Sequence, residues 1–126
     1  MLSTKKLLYK LTQRVRNSER FGPASASSKF GSTYNSVGEY FPATDTVIFN
    51  FGWRASSNVT GSDVLFTVPT AYRPLTGKNG SGMLVSDTNI PIVVGFSINA
   101  SGEIRHDGSS SFARQGYGMI MYHLNS

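Results

Sequence analysis

The chain has 126 residues, the size of one ordinary domain, and it lacks cysteine, which excludes disulfides, thiolate metal sites and thiol catalysis. Charged residues make up only 15% of the sequence, below the usual share of about 25%, and this favours strands and tight turns over a helical bundle. The net charge of +5 comes from residues 1–30, with seven basic and one acidic residue, whereas residues 31–126 carry five basic and six acidic residues, so the charge is no sign of a nucleic-acid-binding domain.

Residues 1–17 predict a short basic, amphipathic helix. Ser3 or Thr4 can cap its N-terminus by accepting hydrogen bonds from free backbone N–H groups. Three apolar residues follow the 3–4 spacing of a coiled-coil seam: Leu8, Leu11 and Val15. Because a lone helix of this length is marginal in water, we expect it to associate with copies of itself or to dock on another protein; a frayed basic tail is the alternative.

The N-terminal region has the features of neither an export signal nor a membrane span. The apolar pair Leu7-Leu8 is far shorter than the apolar core of a signal peptide, and no apolar run reaches the length of about 18 residues that a transmembrane helix needs. We therefore expect a protein made in a reducing cytoplasm without a signal peptide. We expect no membrane insertion and no nucleic-acid partner.

Residues 18–33 predict a flexible linker between the helix and the folded domain, which is assigned to residues 34–126. The Gly22-Pro23 pair ends the helix, and the small polar residues after it cannot supply a core.

From about Tyr34 onward, apolar residues recur at every second position, which is the pattern of β-strands. The composition of residues 99–102 predicts a hairpin turn. The predicted strands are 47–53, 64–68, 90–98 and 117–123, with shorter ones at 39–41, 82–85 and 103–106. About seven or eight strands without alternating helices predict an all-β domain, an antiparallel β-sandwich or jelly roll, preceded by the short α-helix.

One segment carries a family resemblance. The stretch Val68-Pro69-Thr70-Ala71-Tyr72-Arg73-Pro74 resembles the L-P-x-x-Y-R-P segment found in C-terminal receptor-binding domains of bacteriophage tail, baseplate and head fibres. The downstream order is also similar: a strand over 90–98, a Gly-Glu-Ile step at 102–104, a Gly/Ser loop and a last strand over 117–124. The resemblance covers roughly residues 45–126.

The resemblance implies an antiparallel β-sandwich or jelly roll, commonly trimeric, that recognises a bacterial surface, often through its saccharide. We therefore predict a virion protein that binds a bacterial cell-surface saccharide as a non-catalytic homotrimer and joins another virion protein through its N-terminal helix. The alternatives are a purely structural virion protein, such as a head-fibre or decoration component, and a polysaccharide-degrading enzyme.

Saccharide sites combine aromatic faces with planar polar side chains, and two regions offer both. Trp53, the one tryptophan, stands beside Arg54 at a strand end and is predicted to be a core residue, a ligand platform or a subunit contact. A second candidate group lies near the last loop: Phe112, Arg114 and Tyr117.

Tyr72 and Arg73 are further candidates, because Pro69 and Pro74 hold them on a stiff crossover. Either they bind a ligand directly, or Tyr72 covers the rim of the core and Arg73 bonds nearby carbonyl groups.

The sequence predicts no catalytic residue, no metal site and no cofactor. The loop His106-Asp107-Gly108-Ser109 holds the residue types of a hydrolase triad, but no G-x-S-x-G nucleophile elbow is present. Two histidines without cysteine leave few ligands for zinc. The carboxylates stand singly at strand ends, so whether two of them meet in space, as glycoside hydrolysis requires, is left open.

Overall fold

A computed structural model describes residues 4–5, 18–34, 36–85, 90–107 and 113–126, with the backbone alone for Ala113 and Arg114. The predicted helix over 1–17, with its seam residues, lies almost wholly outside the described residues, and so does Phe112. No helix in the described ranges is both long enough and apolar enough to cross a membrane.

Strands dominate the described part of the chain, together with one 3-10 turn at Thr70–Tyr72. The ten strands are β1 (Glu19–Phe21), β2 (Ser25–Ala26), β3 (Phe30–Ser32), β4 (Val37–Phe41), β5 (Thr46–Val59), β6 (Phe66–Thr67), β7 (Lys78–Val85), β8 (Pro91–Ile98), β9 (Glu103–His106) and β10 (Ala113–His123). All seven predicted strands are present, and the prediction of an all-β protein is confirmed.

Antiparallel pairing joins these strands into one sheet in the order β1-β4-β5-β10-β7-β8-β9-β6-β2, with β3 beside β5. The sheet is curled. The curl brings together side chains from strands that are distant in this order: the rings of Phe51 in β5 and Phe66 in β6 are 5.5 Å apart. The described pairings give one continuous sheet and do not confirm the division into two sheets that a sandwich or jelly roll has.

The core lies inside the curl and is rich in aromatic rings. The apolar face of β5 supplies its centre through Val47, Phe49, Phe51 and Trp53, all buried. Phe96 of β8 meets Phe51 edge to face at 5.0 Å, a geometry that aromatic pairs favour. The apolar side chains that alternate along the predicted strand 47–53 are therefore the ones that the fold buries.

The prediction of a flexible linker over residues 18–33 is wrong. Three strands, β1 to β3, fall within it, and each pairs with the sheet. Phe21 is buried in the core, and Phe30 stacks on Trp53 at 5.4 Å. Isolated aromatic residues give no periodic signal. In the fold, however, the rings of Phe21 and Phe30 pack against the core and attach the segment to the domain.

The predicted hairpin turn at residues 99–102 is confirmed between β8 and β9. The Gly102 N–H donates to the Asn99 carbonyl at 2.9 Å, and the Asn99 N–H donates to the Glu103 carbonyl at 3.1 Å. Gly102 has a φ of 79°, a left-handed conformation that glycine adopts at little cost.

Candidate functional site: the outer face of the sheet

The outer, convex face of the sheet brings together side chains from strands that are distant in sequence. Residues directly opposite each other in an antiparallel pair share a face. Tyr117 of β10 lies opposite both Gly52 of β5 and Met83 of β7, and Met83 lies opposite Val93 of β8. One row of the outer face thus crosses four strands.

At one end of this face, aromatic and planar polar groups form what we call the aromatic–arginine surface, made of Tyr34, Arg54, Gln115 and Tyr117. The rings of Tyr34 and Tyr117 stack with centroids 6.3 Å apart and planes 23° from parallel. Gln115 donates from Nε2 to the Tyr117 hydroxyl. Arg54 lies opposite Gln115 in the β5–β10 ladder, so all four side chains lie on one patch.

The aromatic–arginine surface continues into an open cleft. Gly31, Ser32 and Ser56 line it, together with Arg54 and Ala55. The Arg54 side chain is exposed, which leaves its guanidinium available at the border between the cleft and the stacked tyrosines. The patch therefore offers two rings, an amide and a guanidinium to a polar ligand.

The part of the outer face that adjoins Tyr117 through its neighbour Met83 is apolar, and we call it the methionine face. Its members are neighbours on three strands and have exposed side chains: Met83 (43%), Val93 (80%), Met119 (45%) and Met121 (58%). A shallow cleft of mixed polarity adjoins it, lined by Val37, Glu39, Phe41, Ile48 and Asn50. Monomeric proteins rarely expose a large contiguous apolar patch unless something packs against it.

Two of the predicted ligand-binding residues, Arg54 and Tyr117, thus meet on one surface. Arg114 stands in β10 next to Gln115, but its side chain is outside the described residues. Tyr34 and Gln115 are not among the residues predicted to bind a ligand. Tyr34 stands at the start of the strand pattern and Gln115 stands among polar residues, so only long-range pairing brings either one to this surface.

Trp53 is not a ligand platform, because its side chain is completely buried. Its ring stacks on Phe30 and meets Phe96 edge to face at 6.1 Å. Its Nε1 has no hydrogen-bond partner among the described residues. The alternative prediction, a core residue, is the one that the structure supports.

Tyr72 and Arg73 have structural partners within the chain. The Tyr72 ring stacks on Phe21, and its hydroxyl donates to Glu19 Oε2 at 2.7 Å. This hydrogen bond is the main cause that raises the pKa of Tyr72. Arg73 donates from Nε to the Val68 carbonyl at 2.9 Å. Both residues are half-buried, and their contacts fit the non-ligand alternative.

Two of the described carboxylates, Asp63 and Glu103, are each engaged in local contacts of their own. Asp63 accepts from Lys29 Nζ at 2.8 Å and from the Thr60 N–H at 2.7 Å. Burial raises the pKa of Asp63, but these partners outweigh it and leave the pKa below its usual value. Glu103 accepts from Asn99 Nδ2 at 2.9 Å, which lowers the pKa of Glu103.

The described residues also give no support to a catalytic loop at 106–109. His106 is 2% exposed, and its Nε2 lies 3.3 Å from the Val59 carbonyl. A general base must reach its substrate, and this imidazole faces the protein interior. Within the described ranges, no three side chains from histidine, aspartate and glutamate group together to hold a metal ion.

No protein-family model and no curated protein matches this chain.

Proposed function

We propose that this chain is a non-catalytic, fibre-type recognition module of a bacteriophage virion, and that the aromatic–arginine surface binds a bacterial cell-surface saccharide. The observation that carries the proposal is the exposed Tyr34–Tyr117 stack beside Arg54 and Gln115. The virion setting, the homotrimer and the β-sandwich or jelly-roll class come from the resemblance around residues 68–74 and belong to the proposal with it.

The chemistry of the surface suits a sugar. The apolar C–H face of a pyranose packs on an aromatic ring, and an aromatic residue supplies this contact area with little loss of conformational entropy. The amide of Gln115 and the guanidinium of Arg54 offer donors in fixed planar geometry to ring hydroxyl or carboxylate groups. Gln115 also holds the Tyr117 hydroxyl, which orients the ring before a ligand arrives.

The test is a glycan array followed by titration calorimetry on the strongest saccharide. We expect Tyr117→Ala and Arg54→Ala each to weaken binding about tenfold or more, which corresponds to about 1.4 kcal/mol. Matched controls are Leu75→Ala and Arg20→Ala, which alter an exposed apolar residue and an exposed arginine elsewhere. Both controls should bind as the unaltered chain does.

Two results would overturn the saccharide proposal. If the chain binds no glycan and no bacterial surface yet incorporates firmly into virions, it is a structural virion protein, which the exposed methionine face would suit. Release of oligosaccharide from a bound polymer would instead identify an enzyme. The oligomeric mass of the full chain tests the trimer separately.

A further inference from the structure

The guanidinium of Arg54 has no partner within the part of the chain that the structure describes. Four arginine side chains fall in that part, and the other three are engaged. Arg20 and Arg105 form ion pairs with glutamates, and Arg73 donates to a backbone carbonyl. Arg54 is exposed and makes neither a side-chain hydrogen bond nor an ion pair with a described residue. Its planar fork of donors is therefore free to bind an anion.

The neighbours of Arg54 in the sheet add no negative charge. Arg54 lies opposite Ser32 of β3 on one side and opposite Gln115 of β10 on the other, so the three side chains form one row on the outer face. The residues that line the adjoining cleft are uncharged apart from Arg54 itself. Serine and glutamine can donate hydrogen bonds without carrying charge, so this row favours an anionic ligand.

The described aspartates and glutamates do not neutralise Arg54. Five of the six have other partners: Glu19, Glu39, Asp45, Asp63 and Glu103. The sixth, Asp107, lies against Gly95 of β8. Strands β10 and β7 separate β8 from β5, which is about 14 Å of sheet at about 4.8 Å per strand. Within the described ranges, the counter-charge for Arg54 must therefore come from a ligand.

Gly52 sets the distance between the aromatic rings and this charge. Tyr117 lies opposite Gly52, and a Cβ at Gly52 would come within 3.1 Å of Tyr117 Cδ1, so the ring lies over β5 where that strand has no side chain. The Tyr34 N–H donates to the Gly52 carbonyl at 3.0 Å, which holds the second tyrosine at the same position. Arg54 is two residues further along the same face, about 7 Å away. One sugar unit on the tyrosines is therefore within reach of the guanidinium.

We propose that the saccharide is acidic, with a hexuronic acid unit whose pyranose ring packs on Tyr117 and whose carboxylate accepts two hydrogen bonds from Arg54. A guanidinium and a carboxylate are both planar, and two parallel N–H···O bonds between them are stronger than bonds between neutral groups. Resting on the proposed function, this assignment adds the class of sugar that the surface selects.

The position of the charge beside the rings favours a carboxylate on the sugar ring over a phosphate in the polymer backbone. A hexuronic acid carries its carboxylate on the pyranose ring, so a single unit supplies both the apolar C–H face and the anion. A phosphate that links two units would satisfy Arg54 but would not bring a sugar ring onto the Tyr34–Tyr117 stack by the same contact.

The test is a glycan array printed with matched pairs, in which each uronic acid saccharide stands beside its carboxyl-reduced, neutral counterpart. We expect the full chain to bind the acidic member about tenfold or more tightly than the neutral one, the effect of one charged hydrogen-bonded contact. Equal binding to both members would overturn the hexuronic acid assignment and leave the saccharide proposal standing. Tighter binding to phosphate-bearing saccharides than to uronic acids would also overturn it. Binding to no saccharide would overturn both.

Variants at Arg54 test whether this residue carries the discrimination. Arg54→Gln keeps a planar donor without the charge, and its affinity for the acidic member should fall about tenfold while that for the neutral member changes less than about twofold. Arg54→Lys keeps the charge without the fork and should lie between the two. Arg20→Gln removes one positive charge from an exposed arginine elsewhere and should discriminate as the unaltered chain does. An equal loss in Arg20→Gln and Arg54→Gln would overturn a specific contact at Arg54.

Salt provides a second measurement that separates the ion pair from the stacking contact. Raising the ionic strength from about 0.1 M to about 1 M shortens the Debye length from about 10 Å to about 3 Å. The affinity of the unaltered chain for the acidic saccharide should fall several-fold, whereas that of Arg54→Gln should hardly change. Tyr117→Ala should bind more weakly at both ionic strengths and keep the salt dependence. Salt-independent binding by the unaltered chain would refute the ion pair.

Discussion

The ring of Phe21 lies 4.1 Å from the ring of Tyr72 and within 7° of parallel to it. This stack joins β1 to the Pro-x-x-Tyr-Arg-Pro segment, two parts of the chain that have strands β2 to β6 between them. Phe21 also stacks on Phe49 of the core at 6.0 Å. The segment before the first predicted strand is thereby part of the folded domain.

Phe21→Ala should therefore destabilise the protein. Deleting a buried phenyl ring removes its transfer free energy and leaves a cavity, which costs about 3 kcal/mol. Urea unfolding followed by circular dichroism measures the loss. Tyr34→Ala, which truncates an exposed ring, is the control and should cost less than about 1 kcal/mol. An unchanged unfolding midpoint for Phe21→Ala would restore the linker interpretation.

Gly116→Ala should be disruptive, because the Trp53 ring packs directly over this glycine. A Cβ at Gly116 would overlap the Trp53 indole, and both residues are buried. Overpacking of this kind costs about 1–3 kcal/mol. Gly22→Ala is the matched control, since a Cβ there meets nothing within 4 Å. Thermal unfolding of the two variants should separate them, and similar melting temperatures would contradict the packing.

Acid should weaken the attachment of the C-terminus through Asp45. This carboxylate accepts from the Asn125 N–H at 2.9 Å, from Asn125 Nδ2 at 2.7 Å and from the Tyr40 hydroxyl at 2.8 Å. The backbone hydrogen bond from Asn125 is the largest cause that holds the pKa of Asp45 below its usual value. Because the pKa of Asp45 is lower in the folded protein than in the unfolded chain, its ionised form stabilises the fold. This stabilisation is complete above the unfolded pKa and is lost as the pH falls through the folded pKa.

The midpoint of urea unfolding, measured at neutral pH and below pH 3.8, the usual pKa of an aspartate, checks this dependence of stability on pH. Asp45→Asn should lower the midpoint at neutral pH and reduce its fall in acid, because asparagine cannot ionise yet tolerates the φ of 51° at this position. Asn125→Ala removes one donor and should act in the same direction more weakly. A midpoint for Asp45→Asn that falls with acid as steeply as that of the unaltered chain would count against Asp45 as a source of the pH dependence.

The fluorescence emission of Trp53 should report on the core and should not change when a ligand binds. As the one tryptophan of the chain and a fully buried one, it should give blue-shifted emission that iodide quenches poorly. A saccharide that binds the aromatic–arginine surface should leave this emission unchanged while altering the tyrosine signal. A large shift of tryptophan emission on saccharide binding would place the ligand elsewhere.

The local elements follow from the amino-acid sequence alone. Alternation from Val47 to Trp53 defined both the strand and its buried face, since the side-chain period of a strand is two wherever it pairs. The hairpin at residues 99–102 was equally local, because Asn99 and Gly102 supply its hydrogen bonds and its left-handed φ within four residues.

Which faces and segments meet depends on the long-range pairing of the strands. The alternation of apolar residues does not show that β5 pairs with β10. The register of this pair brings Arg54 beside Gln115 and places Tyr117 where Tyr34 stacks on it. Nor could alternation place Phe21 in the core, since a single ring between Arg20 and Gly22 forms no periodic pattern. Strand register depends on contacts between residues far apart in sequence, and a local rhythm carries no information about them.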